Sequence, residues 1–290
     1  MHHHRSHTFT TFAVAGAGGL GSFVAEALAS VPGISVVVLS RSTFVPNLSP
    51  HIRVKQVDYT HPTSLIPALK GIQVVISTLS GSGFAAQTQL SDSAKHAGVK
   101  LFVPSEFGLV TEGTTDEHLA FKESLARHLT AIGLPSLRVF TGPFSDTLFT
   151  PYCGFDFPNG RASWVGKGET PIGFTARPDI ASFLAHTLTT LSPSKLLNTT
   201  FRLEGDRKSF EEVVAFYEKT HPGKKVVVTR TPVVAAQKTI ETEPTEATFI
   251  TYLLLSLEEG KSVYKSGPLD NKLYPDWKPK LIEEIVSEMK

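Results

Sequence analysis

The sequence has a single cysteine, Cys153, among 290 residues. One thiol cannot form an internal disulfide, which excludes a disulfide framework and fits a reducing compartment. The sequence also lacks an apolar run long enough to cross a bilayer, and no apolar core follows its first residues, MHHHRSH. We therefore predict a cytoplasmic protein without a membrane partner, and we interpret Cys153 as structural.

Excess charge of either sign is also lacking. The formal net charge is +1, from 28 basic and 27 acidic residues, so the bulk electrostatics do not point to nucleic acid as a partner. The histidines of the first residues could form a metal ligand set, but we interpret residues 1–8 as a disordered or added tail. No metal site is predicted.

What the sequence does contain is an alternation of buried strands and amphipathic helices from residue 9 onward. Apolar runs such as TFAVAG, ISVVVLS and VVISTLS alternate with helical patterns such as SFVAEALASV and FAAQTQLSDSAKHAG. Nearly continuous Val/Ile/Leu strands between helices indicate a parallel sheet covered on both faces. The predicted fold is α/β: a Rossmann, doubly wound parallel sheet with a smaller C-terminal α/β substrate lobe.

The alternation loosens after residue 142, where aromatic residues, proline and glycine follow one another without a clear period. We therefore predict that residues 9–142 form the Rossmann domain. Residues 143–290 are predicted to form the smaller lobe, partly woven back onto the first domain.

A glycine motif, G-x-G-x-x-G, lies where the first strand turns into the first helix, at Gly16, Gly18 and Gly21. Gly16 permits the tight turn, Gly18 lets the backbone approach a pyrophosphate, and Gly21 lets helix and strand pack closely. The free amides at the start of the helix bind the anion. The motif predicts a dinucleotide cofactor.

The end of the second strand selects between the two nicotinamide cofactors. An acidic residue there would accept hydrogen bonds from the ribose 2′-hydroxyl of NAD, but this strand ends in Ser40, Arg41 and Ser42. A guanidinium matches a 2′-phosphate in geometry and in charge. We therefore predict NADP(H) as the cofactor, with Arg41 as its 2′-phosphate contact; the alternative is a solvated loop arginine.

Several segments together resemble the NmrA-like group of atypical short-chain dehydrogenases, and within it the isoflavone reductase-like branch. They are VAGAGGLG, the SR pair after the second strand, VVISTLS, FVPSEFG at 102–108, DIASFLAHTL at 179–188 and LYPDWKPKLIEEIV. That branch includes the phenylcoumaran benzylic ether and pinoresinol–lariciresinol reductases. The resemblance covers nearly the whole chain and is weakest over residues 142–170.

The resemblance implies a set of cofactor contacts. The loop from Gly16 to Gly21, including Gly18, Gly19 and Leu20, would surround the pyrophosphate. The remaining contacts, on the adenine, ribose and nicotinamide sides, would come from Ser77, Thr78, Leu79, Ser105 and Phe107. In the reductase branch the helix after this last loop carries a catalytic lysine, which here is Lys122.

Lys122 is therefore the predicted general acid/base, and it could also hydrogen-bond the nicotinamide ribose; the alternative is a surface lysine. The Tyr-x-x-x-Lys pair of the common short-chain dehydrogenases is absent at this place, where His118 precedes Lys122 by four residues on the same predicted helix. His118 is either a proton relay or a solvent-facing residue, and we favour the second. Tyr274 and Lys278 have the spacing, but Pro275 disfavours a helix there.

Aromatic residues crowd the segment FSDTLFTPYCGFDFP, which we predict to be a loop. They either stack on a planar substrate, with Phe144 and Tyr152 as the candidates, or pack the second lobe. The predicted protein is thus an NADPH-dependent reductase of a small aromatic, phenylpropanoid-like substrate, acting as a monomer or homodimer. The alternative is a non-catalytic NADP(H)-binding redox sensor, and in the resembling family such proteins tend to lack the lysine.

Overall fold

The structure is a computed structural model that describes residues 7–46, 48–243, 245–264 and 267–289, without the side chains of 245–247. The histidines of residues 2–4, and most of the predicted tail, lie outside the described residues. Thr8 donates its backbone N–H to Thr189 O at 3.1 Å, so Thr8 already belongs to the folded domain.

The first half of the chain alternates strands and helices as predicted. Its elements are β1 (Thr11–Ala15), α1 (Gly19–Ala29), β2 (Ser35–Ser40), β3 (Arg53–Gln56), α2 (Pro62–Ala68), β4 (Val74–Ser77), α3 (Ala86–His96), β5 (Leu101–Val103), α4 (Ala120–Ala131) and β6 (Leu137–Phe140). Most of its strands are short apolar runs, the edge strand β3 being the polar exception. Proline begins α2 at a position where a missing backbone N–H costs nothing.

The second half is made of shorter elements. They are α5 (Ser145–Leu148), β7 (Phe155–Asp156), β8 (Arg161–Val165), β9 (Ile172–Phe174), α6 (Arg177–Thr190), β10 (Thr199–Arg202), β11 (Asp206–Lys208), α7 (Phe210–Thr220), β12 (Val227–Thr231), α8 (Val233–Thr242), α9 (Thr245–Glu258) and α10 (Ile282–Ser287). The segment predicted to be a loop therefore contains α5 and β7, together with short turns of 3-10 helix.

The central sheet is parallel, with strand order β3-β2-β1-β4-β5. A parallel bridge between Phe102 and Ser136 continues it to the start of β6, and β10 pairs in parallel with β6. This is the predicted Rossmann arrangement, in which the order reverses between β1 and β4 and leaves a crevice at the carboxyl ends of those strands. The glycine motif lies at that crevice.

Two hydrophobic cores cover the two faces of this sheet. On one face α1 packs against α6, whose Ile180, Phe183 and Leu184 join the core beneath β1. On the other face, α2, α3 and α4 bury residues such as Leu65, Leu90 and Leu129. Since α6 and β10 come from the second half of the chain, that half completes the first domain; the boundary at residue 142 stays a prediction.

The remaining elements surround a third core, which is rich in aromatic side chains. Phe155, Phe157, Trp164, Phe210 and Tyr217 are each 2% exposed or less. Neighbouring ring centroids lie 4.9–6.3 Å apart, in the range where aromatic pairs attract each other. This core gives the second lobe its own packing.

Candidate functional site

The glycine motif forms a tight turn between β1 and α1. Gly16 has φ +87°, a left-handed conformation that favours glycine. Its N–H lies 3.0 Å from Leu39 O and 3.1 Å from the Tyr59 hydroxyl oxygen. The Tyr59 hydroxyl in turn donates to Leu39 O at 2.8 Å. The buried ring of Tyr59 thus ties the glycine turn to the end of β2, a role that sequence reasoning missed.

Gly18 and Gly21 meet different surroundings. A Cβ placed on Gly18 would have no heavy atom within 4 Å, so this residue borders open space at the start of α1. A Cβ on Gly21 would collide with Gly16 O and with the Thr78 hydroxyl. Gly21 therefore permits the close crossing of α1 over β1, and Gly18 leaves room for a ligand.

The other two residues of the motif also differ from each other. Leu20 is 8% exposed and packs in the core beneath the sheet, so its side chain does not line the open space. Gly19 begins α1, and the guanidinium of Arg177 occupies the space where a Cβ would stand. At these two residues only the backbone is left to face the open space at the start of α1.

Arg41 follows β2 at the same edge of the sheet. Its carbonyl accepts a hydrogen bond from Gln56 Nε2 at 3.1 Å, and its side chain is exposed. Within the described ranges the guanidinium forms no ion pair with a carboxylate. An exposed, unpaired guanidinium beside the crevice could take a phosphate without first breaking a protein contact.

The last residue of β4 and the two that follow it lie next to the glycine turn. Thr78 donates its hydroxyl to Gly16 O at 2.9 Å, and Leu79 packs against Gly16. Ser77 is fully buried. The Ser77 hydroxyl therefore does not face the crevice, and the Thr78 hydroxyl is already engaged.

The loop after β5 is held rigidly by buried contacts. Ser105 donates its N–H to the side chain of Gln87, which is 1% exposed, at 2.9 Å. Phe107 is 8% exposed and has φ +24°, which is uncommon for a residue with a side chain and persists only where neighbours enforce it. Gly108 O accepts from Thr141 N and Gly142 N, both at 3.1 Å. Gln87 was missed by sequence reasoning because its partner is far away along the chain.

Lys122 contacts this same loop. Its Nζ donates to Glu106 O at 2.5 Å and lies 5.8 Å from the centre of the Phe84 ring. Burial lowers the pKa of the Lys122 ammonium; the positive charge of Arg138 lowers this pKa further, and the Glu106 carboxylate opposes both effects. Lys122 is thus no ordinary surface lysine, because its amine is directed at the backbone beside Phe107.

A buried ionic cluster of Glu106, Thr111 and Arg138 holds the loop after β5 in place. The Glu106 side chain is 1% exposed, and one of its oxygens accepts from Arg138 Nε at 2.8 Å. Its other oxygen accepts from the Thr111 hydroxyl at 2.7 Å, and Thr111 accepts from Arg138 Nη2 at 2.7 Å. Glu106 and Arg138 hold each other in place, because removing either one would leave the charge of the other buried without a partner. Since the Glu106 side chain is fixed in this way, the Glu106 carbonyl that Lys122 contacts is fixed as well.

For His118 the structure differs from both predictions, a shared helix with Lys122 and a solvent-facing side chain. Helix α4 begins at Ala120, so His118 lies in the preceding turn and does not share a helix face with Lys122. It is not solvent-facing either, since its side chain is 9% exposed and stacks on Tyr252 at a centroid distance of 4.2 Å. The turn places His118 against α9, and this contact anchors the start of α4.

Tyr274, which has the Tyr-x-x-x-Lys spacing, stacks on His186 of α6 with 3.9 Å between the ring centroids.

The aromatic segment divides into a buried and an exposed part. Phe149, Phe155 and Phe157 are in the core of the second lobe, as the packing alternative predicted. Phe144 is half-buried, and Tyr152 is 82% exposed. Cys153 is buried beside them, and burial raises the pKa of its thiol. Of this segment, only Phe144 and Tyr152 have ring surface free for a ligand.

A cavity of about 790 Å³ begins next to the α4 helix, between the segment after Phe107 and α9. Leu119, Tyr252 and Tyr264 are among its lining residues, and Lys122 is not.

In the part of the chain that the structure describes, no group of three potential metal ligands occurs, and no helix is long and apolar enough to cross a membrane.

Fold and site together define an α/β protein of the Rossmann arrangement, with a glycine turn and an exposed arginine at the crevice of its sheet. The family model described as the NmrA-like family matches residues 9–286, and the chain belongs to this family. The resemblance inferred from the motifs is thereby confirmed.

Comparison with known proteins gives relatives that are named oxidoreductases or reductases. The chain is 32% identical over 195 residues to the oxidoreductase aprR of Aspergillus flavus, covering 64% of this chain and 65% of that protein. It is 28% identical over 298 residues to a phenylcoumaran benzylic ether reductase of Ginkgo biloba, covering 93% and 95%. Among solved structures, the NADPH complex of leucoanthocyanidin reductase from Vitis vinifera superposes with a TM-score of 0.80 at 21% identity, covering 96% and 98%.

Proposed function

We propose that this chain is an NADPH-dependent reductase of a small aromatic, phenylpropanoid-like substrate, with Lys122 as the general acid. The observation that carries the proposal is the position of the Lys122 amine, held against the loop of Phe107 in surroundings that lower its pKa. The relatives support it, since the Ginkgo biloba protein is named a reductase of phenylcoumaran benzylic ethers and the Vitis vinifera structure contains NADPH.

The residues at the crevice fit this cofactor. The open space beside Gly18 and the free amides at the start of α1 suit a pyrophosphate, and the unpaired Arg41 suits a 2′-phosphate. Bound NADPH would supply the hydride. Phe107, fixed by its loop, would position the substrate side, and Lys122 Nζ would give a proton to the atom that gains negative charge when its neighbour accepts the hydride.

The alternative is an NADP(H)-binding regulator without turnover. One observation favours it: the Lys122 ammonium already donates to Glu106 O, as a purely structural lysine would. The two functions are separated by following NADPH oxidation with a panel of phenylpropanoids, quinones and enones. Oxidation by at least one member supports the reductase, and tight NADPH binding with no oxidation by any member supports the regulator.

Arg41→Ala should weaken NADPH binding and leave NADH binding nearly unchanged. Losing one charge-assisted phosphate contact costs about 1.5–3 kcal/mol, and NADH has no 2′-phosphate to lose. Dissociation constants for both cofactors, measured by titration calorimetry on both proteins, check this. Equal losses for the two cofactors would remove Arg41 from the 2′-phosphate site.

The pH profile of reduction should report the Lys122 ammonium. A general acid is active when protonated, so turnover should be constant at low pH and fall as the pH rises through the pKa of Lys122. Because burial lowers this pKa, the fall should begin below the range of an ordinary lysine. Rates with a fixed substrate across neutral to alkaline pH test this, and the same alkaline limb in Lys122→Ala would contradict it.

A further inference from the structure

Arg177 places a cation beside the start of α1, a helix to which it does not belong. It is the first residue of α6, and its Nη1 lies directly over Gly19, the first residue of α1. The beginning of a helix carries partial positive charge, so a guanidinium there needs an anion close by. The structure gives it one carboxylate, that of Asp146, on its Nε side, and the Arg177 side chain is 22% exposed.

The guanidinium is held in this place by specific contacts. Asp146 accepts from Arg177 Nε at 2.8 Å and from its backbone N–H at 3.0 Å. The guanidinium carbon also lies 5.3 Å from the centre of the Phe23 ring on α1. Asp146 thus fixes the orientation through Nε, and within the described residues no hydrogen bond engages the two terminal nitrogens of Arg177.

We propose that Arg177 is a pyrophosphate-binding residue, which closes over the cofactor from the second half of the chain. An anion between the amides of the glycine turn and the terminal nitrogens of Arg177 would accept hydrogen bonds from both. The proposal rests on the proposed binding of NADP(H). It adds a contact from α6 to those of the glycine motif.

The test compares two ligands and two variants. NADPH contains the pyrophosphate, whereas 2′-AMP keeps only the phosphate assigned to Arg41. Arg177→Gln should weaken NADPH binding by on the order of 10- to 100-fold, the usual effect of losing a charge-assisted contact, and leave 2′-AMP binding within about twofold. Arg41→Ala should weaken the binding of both ligands. Arg127→Gln, at an exposed arginine on α4, is the control for charge alone and should change neither.

Asp146→Asn separates ligand binding from structural support. It breaks the same ion pair but keeps the cation, so NADPH affinity should stay within about threefold of wild type. Equal losses in Asp146→Asn and Arg177→Gln, with matching drops in melting temperature, would show that the pair only ties α6 to α5 and would overturn the inference. Unchanged NADPH affinity in Arg177→Gln would overturn it as well. Failure of the wild-type protein to bind NADPH would instead overturn the proposed function, and this inference with it.

Discussion

Replacing Lys122 by alanine should lower turnover by about 10²–10⁴-fold, which is the usual contribution of a positioned proton donor. NADPH binding should change only modestly, because the proposed phosphate contacts lie at the glycine turn and at Arg41. The fold should persist, since the hydrogen bond from Nζ to Glu106 O is one of many contacts that hold this loop. Single-turnover rates, NADPH titration and thermal unfolding of the same preparations measure these three effects separately.

Two further variants sharpen this test. Lys122→Arg should not restore turnover, because a guanidinium does not release its proton near neutral pH. Lys95 is a matched control, since it also lies on a helix and donates from Nζ to a backbone carbonyl, Gly133 O at 2.6 Å. Lys95→Ala should retain full turnover. If Lys122→Ala retains it too, Lys122 is a structural lysine and the regulator becomes the better proposal.

Gly18→Val should abolish NADPH binding while the protein stays folded. The backbone of Gly18 has φ −72°, which valine can adopt, and a Cβ there meets no atom within 4 Å. The added side chain would instead fill the space proposed for the pyrophosphate. Titration with NADPH, together with the melting temperature of the variant, tests both halves of this prediction.

Gly21→Val is the contrasting variant. A side chain there would collide with the backbone of Gly16, so we expect loss of stability as well as loss of binding. A Gly18→Val protein that binds NADPH with wild-type affinity would remove the glycine turn from the cofactor site. A Gly18→Val protein that melts as early as Gly21→Val would show that the open space beside Gly18 is needed for folding.

Much of the fold could be predicted because its signals are local. The strands β1, β2 and β4 are short apolar runs, and their alternation with helices restricts the chain to a doubly wound parallel sheet. The turn at Gly16 and the crossing at Gly21 were predictable for the same reason, since a glycine conformation or a missing Cβ acts within one turn of chain. Arg41 could be named as a candidate because it directly follows a strand.

The environment of each side chain was less predictable. The spacing of His118 and Lys122 suggested a shared helix face, but α4 begins between them and His118 is buried against α9. The aromatic segment 144–157 left two interpretations open. Phe155 and Phe157 are buried, so at these two positions the aromatic rings pack the second lobe. The segment alone could not show this, because partners such as Trp164 and Phe210 come later in the chain.

The sequence by itself determined the Rossmann alternation, the glycine turn and the lysine on the helix after the FVPSEFG loop. Only the tertiary structure decided which groups surround them: Tyr59 behind the turn, Gln87 behind Ser105, Glu106 and Arg138 beneath Lys122, and Arg177 above Gly19. The physical reason is range. Periodicity and backbone conformation depend on neighbours a few residues away, whereas a buried hydrogen bond or ion pair depends on which distant elements the folded sheet brings together.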